Sequence, residues 1–210
     1  MSVLQVLLVI EMVGTFAFAV SGALLAAKKG FDVVGSLLLA GLAGLGGGVI
    51  RDLIIGQDVP TAFNVPLYLI PVAVAVLGVF FRLIREGLLH RTLVAFDAVG
   101  LSMFCVMGAS IAHGAGLNPV GATLLGVITA VGGGTLRDVV ANDVPQIFNP
   151  HGVYAAPAFL GAAATTAALE LGFFNGFTAV GIALLVFGIR VAALKFKWHI
   201  PLAVRRNKSA

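Results

Sequence analysis

The sequence predicts an all-α membrane protein of seven transmembrane helices, two three-helix repeats of inverted topology followed by a seventh helix. Three observations carry that prediction: a composition too apolar for water, seven apolar runs of membrane-spanning length, and an internal repeat at a spacing of 86 residues. Of 210 residues, 60% are hydrophobic and 10% charged, and the mean hydropathy is +1.08. A soluble domain carries about 25% charged and about 45–50% apolar residues, so this chain has too little polar surface to cover itself and needs lipid around it. Its single cysteine, Cys105, cannot close an internal disulfide, and no Cys/His cluster has the spacing of a zinc site. A net charge of +4 suits nucleic acid in a soluble protein. Here the basic residues gather between the apolar runs and in the tail, where membrane topology accounts for them and no nucleic-acid partner is expected.

A helix needs roughly 20 apolar residues to cross about 30 Å of hydrocarbon. Seven stretches qualify, at about 3–27, 33–55, 65–81, 92–112, 117–141, 153–174 and 176–194. The first has no basic n-region and continues past Glu11 for a full span, so it reads as a retained helix rather than a leader. Runs of this length lack the alternation of barrel strands, and backbone groups in lipid must be satisfied within the segment, which leaves helices. The chain is read as one transmembrane domain over 1–210, with repeats at about 3–85 and 92–174, helix seven at about 176–194 and a basic tail at 195–210. Lys28 and Lys29 follow the first span, Arg82, Arg85 and Arg91 the third, and Arg190, Lys195, Lys197, Arg205, Arg206 and Lys208 gather at the seventh. The connections after the fourth and sixth spans carry neither Lys nor Arg. The positive-inside rule therefore places the N-terminus outside and the C-terminus in the cytoplasm.

Shifting the sequence by 86 aligns 11–55 with 97–141, and 17 of these 45 positions are identical. Gly46-Gly47-Gly48-Val49-Ile50-Arg51-Asp52 recurs as Gly132-Gly133-Gly134-Thr135-Leu136-Arg137-Asp138. After one deletion, Asp58-Val59-Pro60 matches Asp143-Val144-Pro145, and Phe63-Asn64 matches Phe148-Asn149. Each copy holds three spans, an odd number, so the second enters the membrane from the opposite face. Inverted pairs interrupted by glycine at corresponding positions point to a site near the midplane.

Three consecutive glycines cost a helix about 3 kcal/mol relative to alanine. One reading of Gly46, Gly47, Gly48, Gly132, Gly133 and Gly134 is a functional break, with kinked backbone lining the pore. The other is close helix packing, which Gly44 and Gly48 suit as a GxxxG pair. Arg51, Asp52, Arg137 and Asp138 lie within or near the end of a span. They are candidates for a polar gate or ion pair, against the alternative that the arginines snorkel to headgroups. As sequence neighbours do not face each other on a helix, Arg51 and Asp52 are expected to take separate partners. Glu11 and Asp97 occupy equivalent positions near the outset of their spans, where acids suit the helix dipole; they are candidates for drawing cations into a vestibule. His113 and Glu170 read as boundary residues, and Pro60 and Pro145 as helix terminators. No catalytic motif is present, so an enzyme is not expected. No cofactor and no resident metal are expected either.

These residues resemble the trimeric intracellular cation channels, in particular their short prokaryotic members. Seven spans, inverted three-helix repeats and GGGxxRD in both second helices carry the resemblance over about 11–194. It implies a homotrimer, each protomer with its own potassium-conducting pore formed mainly by the triplet-bearing helices and their first-helix partners. Potassium would be the permeant ion and membrane lipid a bound partner. Animal members carry a Lys-Glu-Val segment associated with phosphoinositide binding, and this sequence has none; the plasma (inner) membrane of a prokaryote fits better than an intracellular reticulum. The same family is also associated with glycine transport, so a secondary transporter of a small amino acid is the rival reading.

Overall fold

The computed structural model describes residues 3–81, 88–149 and 153–198. Arg82, Arg85, Arg205, Arg206 and Lys208 lie outside the described residues. Among the described residues eight α-helices follow one another: α1 (Val3–Lys29), α2 (Val33–Ile54), the single turn α3 (Thr61–Asn64), α4 (Leu69–Phe80), α5 (Leu89–Gly114), α6 (Pro119–Val140), α7 (Ala155–Glu170) and α8 (Gly176–Lys195). The chain is all-helical among the described residues. Five of the helices, α1, α2, α5, α6 and α8, are long and apolar enough to cross a membrane. The third expected span is shorter than the sequence suggests. Val65 is extended ahead of Pro66, as a residue before proline prefers; a 3₁₀ turn at Pro66–Tyr68 then leads into α4, which has 12 residues. The sixth shortens to the 16 residues of α7, which ends just before Gly172 with φ +73°.

Local signals recur between the two halves. Asp32 caps α2 by accepting from the Gly35 amide, and Asn118, its counterpart 86 residues on, caps α6 by accepting from Gly121. Each cap is preceded by a glycine in the left-handed region, Gly30 at φ +72° and Gly116 at φ +85°, which turns the chain back at little steric cost. Asn175 and Thr178 form a capping box on α8, worth about 1 kcal/mol at such a terminus.

Packing repeats in the same way. Helix α1 lies on α2 and α4, α5 on α6 and α7, and the halves meet where α1 crosses α5 and α2 crosses α6. Helix α8 leans on α5 and α7. The central core is built around Phe18, Leu101, Phe104 and Val106, with the Phe18 and Phe104 rings 5.5 Å apart. Gly100 leaves room for the Phe18 ring and Gly14 for that of Phe104.

The glycine triplets do not break their helices. Both α2 and α6 run as continuous α-helix through Gly46–Gly48 and Gly132–Gly134, so an unwound segment with exposed carbonyls is not found there. Tertiary packing supplies the reason. A Cβ on Gly47 would land on the carbonyl oxygen of Thr129, and a Cβ on Gly133 on that of Ala43. The two contacts are reciprocal, since Thr129 and Ala43 are counterparts across the repeat. Backbone-to-backbone approach at this crossing needs glycine on both helices, and it offsets the low helix propensity of the triplets.

Candidate functional site: two buried arginine clusters

Near the C-terminal end of α2, Arg51 turns inward and is 2% exposed. Its Nη1 donates to Glu11 Oε1 on α1 at 3.2 Å, and its Nε donates to Asp52 Oδ1 at 2.8 Å. Nη2 lies 2.7 Å from the same aspartate oxygen. Tyr68, just ahead of α4, donates its hydroxyl to Glu11 Oε2 at 2.6 Å. Asp52 Oδ2 accepts the amide of Thr61 at 2.8 Å, which ties the segment after α2 to the cluster. Burial of a charge costs several kcal/mol unless it is paired, and here each charge has a partner and a further hydrogen bond.

The second half repeats this arrangement. Arg137 on α6 is 0% exposed; its Nη1 donates to Asp97 Oδ1 on α5 at 2.9 Å and to Ser21 Oγ on α1 at 2.7 Å. Its Nε donates to Asp138 Oδ1 at 2.8 Å, and Asp138 Oδ2 accepts the Gln146 amide at 3.1 Å. Tyr154 donates to Asp97 Oδ1 across 3.4 Å. Helix α8 adds Arg190, whose guanidinium stands 4.8 Å from the centre of the Tyr154 ring.

The four Arg and Asp candidates and the two vestibule candidates therefore form two clusters. The separate partners expected for neighbouring Arg and Asp are not what is found: each arginine bonds the next residue, since a long guanidinium can fold back over the last turn of its helix to reach it. Snorkelling does not describe either arginine, for both heads are buried in protein. Glu11 and Asp97 are buried ion-pair partners rather than open vestibule acids. Of the glycines, Gly48 and Gly134 border the clusters: a Cβ on Gly48 would lie 3.7 Å from Arg51 Nη2, and one on Gly134 2.9 Å from the Tyr154 hydroxyl. Gly46 and Gly132 instead face Leu136 and Ile50 across the α2–α6 crossing.

The clusters sit toward opposite ends of the bundle. Lys29 at the C-terminal end of α1 pairs with Asp143, just past α6, at 2.6 Å, so α6 finishes where α1 finishes. Arg51 reaches Glu11 in the first third of α1, so α2 finishes near where α1 begins. His113 and Glu170 pair at 3.1 Å where α5 and α7 finish. A cavity of ≈ 10 Å³ adjoins the first cluster, lined by Glu11, Thr15, Gly48, Arg51 and Tyr68; this is room for about one water. A larger one of ≈ 240 Å³ opens beside the second, lined among others by Lys28, His90, Asp138, Asp143 and Arg190.

Four residues of these clusters escaped the sequence reading: Tyr68, Tyr154, Ser21 and Arg190. The tyrosines had a signal. They are the only two in the chain and stand 86 apart, because the register slipped by the deletion returns to its first value beyond Asn64.

A family described as glycine transporter matches residues 8–83 and again 94–170. A UPF0126 membrane protein of Deinococcus radiodurans is 38% identical, covering 94% of this chain and 91% of its own. The UPF0126 inner membrane protein YadS of Escherichia coli K12 is 35% identical, covering 92% and 93%. Among solved structures, a TRIC trimeric intracellular cation channel orthologue from Rhodobacter sphaeroides is 36% identical and superposes with a TM-score of 0.86, covering 92% of this chain and 100% of that one. A prokaryotic TRIC channel crystallised in 0.5 M KCl is 28% identical with a TM-score of 0.84, covering 93% and 99%.

Proposed function

The chain belongs to the membrane-protein family described as glycine transporter and is similar to UPF0126 proteins and to prokaryotic TRIC channels, and from that premise we infer that it is a cation channel. Potassium is the permeant ion in this reading, and each protomer of a homotrimer holds its own path among α1, α2, α5 and α6, in the inner membrane of a prokaryote. The carrying observation is the duplicated cluster of acid, arginine, aspartate and tyrosine toward each end of one bundle. A guanidinium held across the path repels cations. When the arginine swings away, the freed carboxylate of Glu11 or Asp97 attracts them instead. Gating thus resides in the ion pairs rather than in helix breaks. The transporter reading has the family description on its side; the likeness to channels over nearly the whole chain favours conduction.

Reconstitution in a planar bilayer under asymmetric KCl tests this. Unitary steps with a reversal potential on the cation side are expected. Saturable glycine uptake without steps would give the rival the field.

Helix-end pairings such as Lys29–Asp143 and Arg51–Glu11 further support an inverted repeat. Cysteine placed at Gln57 is expected to label from outside and cysteine at Asn142 from the cytoplasm, both positions being exposed. Labelling of both from one side rules out the inverted layout.

A further inference from the structure

The two closures differ in one respect that the repeat does not dictate. Helix α8 follows the second repeat and has no counterpart in the first, and its Arg190, 2% exposed, reaches into the second cluster alone. Nη1 donates to the Val153 carbonyl at 3.2 Å and Nη2 to Gln146 Oε1 at 3.0 Å, while the guanidinium carbon lies 4.8 Å from the Tyr154 ring centre. Tyr154 is the residue whose hydroxyl meets Asp97, and Gln146 the one whose amide meets Asp138. Arg190 thus grips, from behind, both groups that bond the two acids of Arg137. Tyr68 has no stacked cation among the described residues.

Formal charge follows the same asymmetry. The first cluster sets Arg51 against Glu11 and Asp52, whereas the second sets Arg137 and Arg190 against Asp97 and Asp138. The tyrosine bond is 2.6 Å in the first and 3.4 Å in the second. Asp97 Oδ2 and Arg190 Nε are both buried without a hydrogen-bond partner among the described residues.

We propose that Arg190 is a positioning residue that holds the Tyr154–Asp97 closure shut, so that the second cluster limits opening and the first does not. This rests on the channel reading above. Its test uses the full chain in bilayers. Arg190→Met roughly keeps the volume while removing fork and charge, and is expected to raise open probability about thirtyfold, the factor that loss of a desolvated cation–π contact implies. In a Tyr154→Phe background, where the ring no longer bonds Asp97, the effect of Arg190→Met should shrink below about twofold; in a Tyr68→Phe background it should persist in full. Should Arg190→Met not fold, Arg190→Lys in the same two backgrounds decides, with a smaller rise that again depends on Tyr154 alone. Wild-type open probability in the Arg190 variant, or a rise equal in both phenylalanine backgrounds, overturns the proposal. Absence of unitary currents in the wild-type chain overturns the channel reading and this proposal with it.

Discussion

Arg137→Ala is expected to lose about 3–5 kcal/mol of stability, the cost of stranding one partner of a buried pair. The guanidinium is fully enclosed, and its removal leaves Asp97 and Asp138 facing each other across an apolar bundle, with Ser21 Oγ also deprived of its donor. Arg51→Ala should cost less. Glu11 there keeps the short bond from Tyr68, 2.6 Å against the 3.4 Å of Tyr154 to Asp97. Lysine is a poor substitute at either position, because a point charge cannot serve Asp138 through Nε while serving Asp97 and Ser21 through Nη1. We expect both lysine variants to assemble and to show altered open probability. Thermal melting in detergent, followed by size-exclusion chromatography, measures the alanine effects; single-channel recording measures those of lysine. An Arg137→Ala protein melting within a degree or two of wild type would falsify the buried-pair account.

Gly47→Ala and Gly133→Ala are the second pair of large effects. A single methyl at either position meets a backbone carbonyl of the facing helix, which cannot rotate away as a side chain can. Overpacking of a core costs about 1–3 kcal/mol, and the upper end is expected here since α2 and α6 must separate along their crossing. Gly48→Ala is the internal control: its nearest neighbour would be Arg51 Nη2 at 3.7 Å, and the helix gains up to about 1 kcal/mol in propensity. The melting order should be Gly48→Ala at or above wild type, with Gly47→Ala and Gly133→Ala well below it. If Gly47→Ala matches Gly48→Ala, the close crossing is not what the triplet serves.

Much of the architecture was legible because hydropathy and the repeat speak to long segments. The starts of α1, α2 and α8 fall where the apolar runs begin. What the sequence hid was tertiary. Propensity counts the glycines of Gly46–Gly48 as a deficit and is blind to the helix that fills the space they leave, so packing looked like a break. Helical periodicity says that Arg51 and Asp52 diverge, but it describes Cβ directions and not the reach of a guanidinium at a helix end. Arg190 looked like one more cytoplasmic positive charge. Only the fold reveals that it stacks on a tyrosine 36 positions earlier in the chain.

The reciprocal contacts across the middle of the bundle carry a further consequence. Phe18 meets Phe104, Gly47 meets Thr129 and Gly133 meets Ala43, so each of these positions touches its own counterpart or the residue one turn before it. This is the geometry of an isologous interface, retained within a single polypeptide. Substitutions at paired positions consequently act on one shared contact rather than two, and their energies are not additive. Phe18 and Phe104 in particular form one site with two addresses, so trimming one ring is expected to offset enlarging the other.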